Sequence, residues 1–77
     1  MREASKYKFD NEYLKKCRKE MKLSRTQFSQ LCNVNRCSLI LWEAGGTIPT
    51  IDALLNISKA LNEPVERFFK EKENENN

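Results

Sequence analysis

Residues 23–45 read Leu-Ser-Arg-Thr-Gln-Phe-Ser-Gln-Leu-Cys-Asn-Val-Asn-Arg-Cys-Ser-Leu-Ile-Leu-Trp-Glu-Ala-Gly. Ser24 is a good helix N-cap, and Gln27 three residues later completes a capping-box pattern. Phe28, Leu31 and Cys32 supply an apolar stripe at helical spacing. Asn33 stops that helix, because Asn enters the left-handed conformation more readily than most residues. Val34 turns inward. Asn35 can cap a second helix, whose inner stripe is Leu39 and Trp42 and whose end is Gly45-Gly46. Two short helices joined by a tight turn at Cys32-Asn33-Val34 hold the second helix out from a small core. A helix so presented can enter the major groove of DNA.

Outward from this stretch the pattern stays helical. Asp10 or Asn11 can cap a first helix, in which Leu14, Cys17, Arg18 and Met21 share one face. Thr50 can cap a fourth helix with Ile51, Leu54, Leu55, Ser58 and Leu61 turned inward. Asn62-Glu63-Pro64 breaks it, and Pro64 suits the first turn of a fifth helix. Val65, Phe68 and Phe69 close the core. There is no strand signal and no internal repeat. The expected domain organisation is a flexible basic arm over 1–9, a five-helix all-α domain over 10–69, and a disordered polar tail over 70–77.

The chain has 77 residues and a net charge of +3. Charge is unevenly placed. Residues 1–36 hold ten Lys/Arg and four Asp/Glu, whereas residues 37–77 hold four and seven. A basic half that carries the two-helix stretch suggests a polyanionic partner. A domain of this size has little room for an enclosed active site beside its core. With no His in the sequence, no metal-ligand spacing and no paired carboxylates, the machinery of general acid–base catalysis is missing. No cofactor or metal is expected. Cys17, Cys32 and Cys37 lack paired spacing and read as free thiols in a reducing, cytoplasmic setting. Cys17 and Cys32 are expected in the core, and Cys37 on the outer part of the second motif helix. No apolar run is long enough to span a membrane.

From Leu14 to Phe69 the chain resembles the Cro/phage-repressor-type helix-turn-helix proteins, also called xenobiotic-response-element-like regulators. The residues carrying the resemblance are Leu14-Lys-Lys-Cys-Arg18, Leu23-Ser24, Val34, Arg36, Leu39, Glu43, Gly45, Pro49 and the Ile51–Leu61 helix with its Ala-Leu-Asn ending. It implies a compact lambda-repressor-like domain with helix two across the DNA backbone and helix three in the major groove. It also implies a structural ion pair between Arg18 and Glu43. A planar guanidinium fork suits a carboxylate, and the pair would fix the angle of helix three.

By family position the candidate base contacts are Asn35, Arg36, Cys37, Ser38 and Leu41. Arg36 is the strongest, since a guanidinium pairs bidentately with the guanine edge. Asn35 reads adenine or caps its helix, Ser38 meets a base or a phosphate, and Leu41 can lie on a thymine methyl. Candidate phosphate contacts are Arg25, Gln27 and Lys22, with capping competing for Gln27. The chain departs from the family at Asn33 for the turn Gly, Ser29 for Ala, Ile40 and Leu41 for polar residues, and Ala44 for a residue often able to bond phosphate.

The expected function is sequence-specific binding of double-stranded DNA by a small transcriptional regulator, a repressor by preference, acting as a homodimer at least on DNA. The proposed dimer surface is helix five with the loop before it. The alternative is a protein-interaction module in which Ile40 and Leu41 grip a protein partner. Leu39-Ile40-Leu41-Trp42 places four apolar residues in a row on a helix, so at least one must face outward.

Overall fold

The computed structural model describes residues 6–72. The elements are β1 (Tyr7–Phe9), α1 (Asn11–Glu20), α2 (Arg25–Cys32), α3 (Arg36–Ala44), α4 (Ile51–Leu61), a single 3-10 turn over Val65–Phe68, and β2 (Phe69–Glu71).

Each α-helix starts on a side-chain cap. The carboxylate of Asp10 accepts from Tyr13 N–H at 3.0 Å, so Asp10 and not Asn11 caps α1. Ser24 and Gln27 form the reciprocal capping box of α2. Asn35 accepts from Ser38 N–H to cap α3, and Thr50 accepts from Ala53 N–H to cap α4. The helices end in left-handed residues. Asn33 and Asn62 take φ 57° and 56°, and Gly45 takes φ 85°. After α1 the left-handed residue is Lys22, at φ 60°. There Leu23 N–H reaches back to Arg18 C=O and closes the final turn.

Phe9, Leu14, Phe28, Cys32, Leu39, Trp42, Leu54, Ile57 and Phe68 form the core. Cys17 is half-buried against it and Cys37 is exposed. The inward set of α4 differs from the one expected. Leu54 and Ile57 are buried, while Ile51 and Leu55 are exposed. The helix is rotated so that Ala53, Ala60 and Leu61 flank the buried pair. Both registers satisfy a helical period, and the packing partners choose between them. Leu31 and Met21 also point outward, whereas Ser29 is buried and bonds Thr26 C=O.

The described residues therefore form four α-helices and a small sheet, not five helices. Val65–Phe68 is one 3-10 turn. Four residues give too few hydrogen bonds to sustain an α-helix, and the chain extends directly afterwards. Phe69–Glu71 pairs antiparallel with Tyr7–Phe9 in the register Tyr7↔Glu71, Lys8↔Lys70, Phe9↔Phe69. The boundaries read from sequence, an arm ending at residue 9 and a tail starting at residue 70, thus fall inside a paired ribbon. The remainder of both stretches, residues 1–5 and 73–77, lies outside the described residues. Phe9 and Phe69 meet edge to face at 5.9 Å, which ties the ribbon to the core.

Candidate nucleic-acid interface

The site is organised around α3. Its inner side buries Leu39, Trp42 and Glu43. Its opposite side exposes Arg36, Cys37 and Leu41, with Ser38 and Ile40 half-buried. Asn35 spends its side-chain oxygen on the cap, at 3.0 Å from Ser38 N–H. Cys37 is an exposed free thiol in the first turn of the helix.

Glu43 fixes the angle at which α3 is presented. Its carboxylate receives Arg18 Nε at 2.7 Å on one oxygen and Arg18 Nη2 at 3.0 Å on the other. Arg18 Nη1 also donates to Leu23 C=O at 2.9 Å. The two side chains are 9 % and 1 % exposed, so this fork is almost fully desolvated. Breaking such a pair leaves an uncompensated buried charge, which is why one partner is worth so much once the other is present. Asn11 reinforces the same joint by donating to Glu43 C=O at 3.0 Å, at the carbonyl end of α3. Gly45 beside it takes φ 85°, a conformation strained for any residue with a Cβ, and a Cβ there would meet the Asn11 amide at ordinary contact distance.

Arg25, on the first turn of α2, donates its Nε to Glu43 Oε1 at 3.2 Å. One carboxylate thus serves two guanidinium groups and leaves one positive charge in excess where α1, α2 and α3 meet. Arg25 remains 43 % exposed. Sequence reading missed this tie, because the 18 residues between Arg25 and Glu43 give no local signal. Gln27 is exposed but committed to the capping box through its side-chain oxygen. Lys22 is exposed at the left-handed end of α1, three residues before Arg25. The turn between α2 and α3 is held from behind, since Asn56 on α4 donates to Asn33 C=O at 3.3 Å.

Among the described residues no group of His, Cys, Asp or Glu could hold a metal ion, and no helix is long and apolar enough to cross a membrane.

Two helices at a fixed angle, the second exposing its first turn to solvent, define a helix-turn-helix protein. The helix-turn-helix family model matches residues 14–68, and the chain belongs to that Cro/C1-type helix-turn-helix family. An uncharacterized HTH-type transcriptional regulator of Bacillus subtilis (strain 168), YqaE, is 32% identical over 65 residues, covering 84% of this chain and 56% of the relative. The chain thus spans about half the length of that relative. Among solved structures, the P22 c2 repressor protein in complex with synthetic operator 9T superposes with a TM-score of 0.72. That match is 24% identical in sequence and covers 79% of this chain and 92% of the other, a likeness of fold.

Proposed function

We propose that this protein binds double-stranded DNA in a sequence-specific manner and regulates transcription, as a repressor acting by occupancy of its site. The observation that carries the reading is α3 itself. Its core side is locked by Trp42, Leu39 and the Arg18–Glu43 fork, while Arg36 stands exposed at its first turn. A rigidly held helix with a free guanidinium at its start has the geometry and chemistry of major-groove readout. Arg36 is the base-reading residue, with Cys37, Ser38 and Leu41 alongside and Asn35 chiefly a cap. Arg25 and Lys22 supply phosphate contacts, and Gln27 adds a weaker one beside its capping role. The relative's designation as a transcriptional regulator and the operator bound by the P22 c2 repressor support the same reading.

One module makes a small interface, so two copies on a palindromic site gain both affinity and specificity. The two phenylalanines of the 3-10 turn and β2 contribute little to a homodimer surface. Phe68 is fully buried, and Phe69 packs on Phe9. Ile48, Ile51 and Leu55 instead leave apolar surface in water at the start of α4. The setting is cytoplasmic, where an operator and reduced thiols coexist.

The alternative, a protein partner at Ile40 and Leu41, has one observation in its favour: Leu41 is 51% exposed. Ile40 is half-buried, so the apolar surface is narrower than four consecutive apolar residues suggest. Selection of bound duplexes from a random-sequence pool, followed by titration of the selected duplex against salt, separates the two readings. An enriched site with steep salt dependence supports DNA recognition. Absence of enrichment, with weak binding abolished by moderate salt, refutes it.

A further inference from the structure

The β1–β2 ribbon places Lys8 directly opposite Lys70. The pairing continues one residue beyond the strands, where Lys72 N–H donates to Lys6 C=O at 2.9 Å. Side chains alternate between the faces of a strand, and paired residues share a face. Phe9 and Phe69 turn to the core. Lys6, Lys8, Lys70 and Lys72 therefore form a two-by-two array on the other face. Lys6, Lys8 and Lys72 are exposed and Lys70 half so. Among the described residues a single carboxylate, Asp10, lies within ion-pair reach of the four, at 3.6 Å from Lys70.

Like charges directly opposite one another destabilise a strand pair, and a short isolated ribbon is marginal to begin with. This ribbon carries two such pairs, so the array works against the local structure that holds it. A polyanion laid across the face offsets that repulsion. The array also has a definite neighbour. Lys8 lines a shallow cleft with Asn11, Gly45, Thr47 and Ile48, so the ribbon borders the loop that follows α3.

We propose that this lysine face is a second DNA contact, one that takes the phosphate backbone of the duplex entered by α3. It rests on the DNA-binding reading above and adds to it a contact outside the helix-turn-helix. It supplies affinity without sequence information, because lysines act on phosphates as point charges.

The test is a fluorescence-anisotropy titration of a duplex carrying the enriched site, against salt. It compares the full chain with the variant K6Q/K8Q/K70Q/K72Q and with the matching quadruple Lys→Arg variant. Each phosphate contact contributes about 0.9 to the slope of log affinity against log salt. The expected result is a slope shallower by roughly 2 or more for the Gln variant, with at least about tenfold weaker binding at low salt. Its preference for the enriched sequence is unchanged, and the Arg variant keeps the original slope. Circular dichroism verifies folding, and relief of like-charge repulsion keeps the Gln variant at least as heat-stable as the original. Equal slopes for the original chain and the Gln variant overturn the proposal while leaving the reading of α3 intact. If the original chain selects no duplex, both fall. Loss by the Gln variant of binding to phosphatidylserine vesicles but not to DNA overturns the proposal in favour of a membrane contact.

Discussion

Arg25 and Glu43 are joined by a 3.2 Å hydrogen bond from Nε to Oε1, on the oxygen that also receives Arg18. The bond holds the Arg25 guanidinium by its inner nitrogen and leaves its outer amino groups for a second partner. Replacing Arg25 with Lys keeps the charge but loses the planar fork. Replacing it with Gln loses both. If Arg25 meets phosphate, Arg25→Gln lowers the salt slope of DNA binding by about 0.9, while Arg25→Lys keeps the slope at weaker affinity. Salt titrations of the two variants check this. Identical slopes for Arg25→Gln and the original chain would remove Arg25 from the contact set.

The buried fork between Arg18 and Glu43 carries stability. Removing Glu43 strands the Arg18 charge at a nearly solvent-free position, whereas removing Arg18 leaves Glu43 with Arg25 alone. Glu43→Leu is expected to cost roughly 3–5 kcal/mol, a large share of what a small domain has. The double variant Arg18→Met/Glu43→Leu, which leaves no stranded charge, should cost much less. Urea denaturation of the three variants, including Arg18→Met alone, measures the difference. An additive result would show that the pair is not coupled.

Arg36 is expected to read a base. Arg36→Ala should relax preference at one base pair and weaken binding to the enriched site by about 1–3 kcal/mol. Repeating the duplex selection with the variant shows whether one position loses its preference. A uniform loss on every sequence would make Arg36 a phosphate contact instead.

Lys22 occupies a left-handed conformation at φ 60° that costs a residue with a Cβ about 1–2 kcal/mol. Glycine adopts it freely but loses more chain entropy on folding, about 0.5–1 kcal/mol. Lys22→Gly should therefore raise the melting temperature modestly, with a net gain of up to about 1.5 kcal/mol. The same variant reports on function. A salt slope reduced by about 0.9 beside a raised melting temperature would separate a phosphate role from a folding defect.

The three thiols should differ in reactivity. Burial pushes the Cys32 thiol from its ordinary 9.0 up to about 11, and burial likewise raises Cys17. Cys37 is exposed. At pH 8 a thiol alkylating reagent should label Cys37 first and Cys32 only as the chain unfolds. The shift also sets a pH dependence. A group whose folded pKa is raised contributes stability that is fully present below its unfolded value. For Cys32 that contribution is lost as pH rises from about 9 through about 11. Denaturation midpoints for the original chain and Cys32→Ala should converge over that window. Fast labelling of Cys32 in the native state would show that the core opens locally.

The sequence by itself determined the helices and their limits wherever the signal is local. Ser24 with Gln27, Asn35, Thr50, Asn33 and Asn62 bond or bend the backbone within a few residues, so residue type is enough to predict them. The same holds for Leu39 and Trp42, which a short helix can bury only together. The tertiary structure decided whatever depends on partners far along the chain. The period of α4 allowed Ile51 and Leu55 inward beside Leu54, and packing kept Leu54 but chose Ile57 in their place. The β1–β2 ribbon joins residues some 60 positions apart, and its three-residue strands have no propensity strong enough to declare themselves. The bond from Arg25 to Glu43 likewise depends on α2 being laid against α3. Local rules are written in backbone hydrogen bonding and side-chain period, whereas the ribbon and the shared carboxylate come into being only when the core closes.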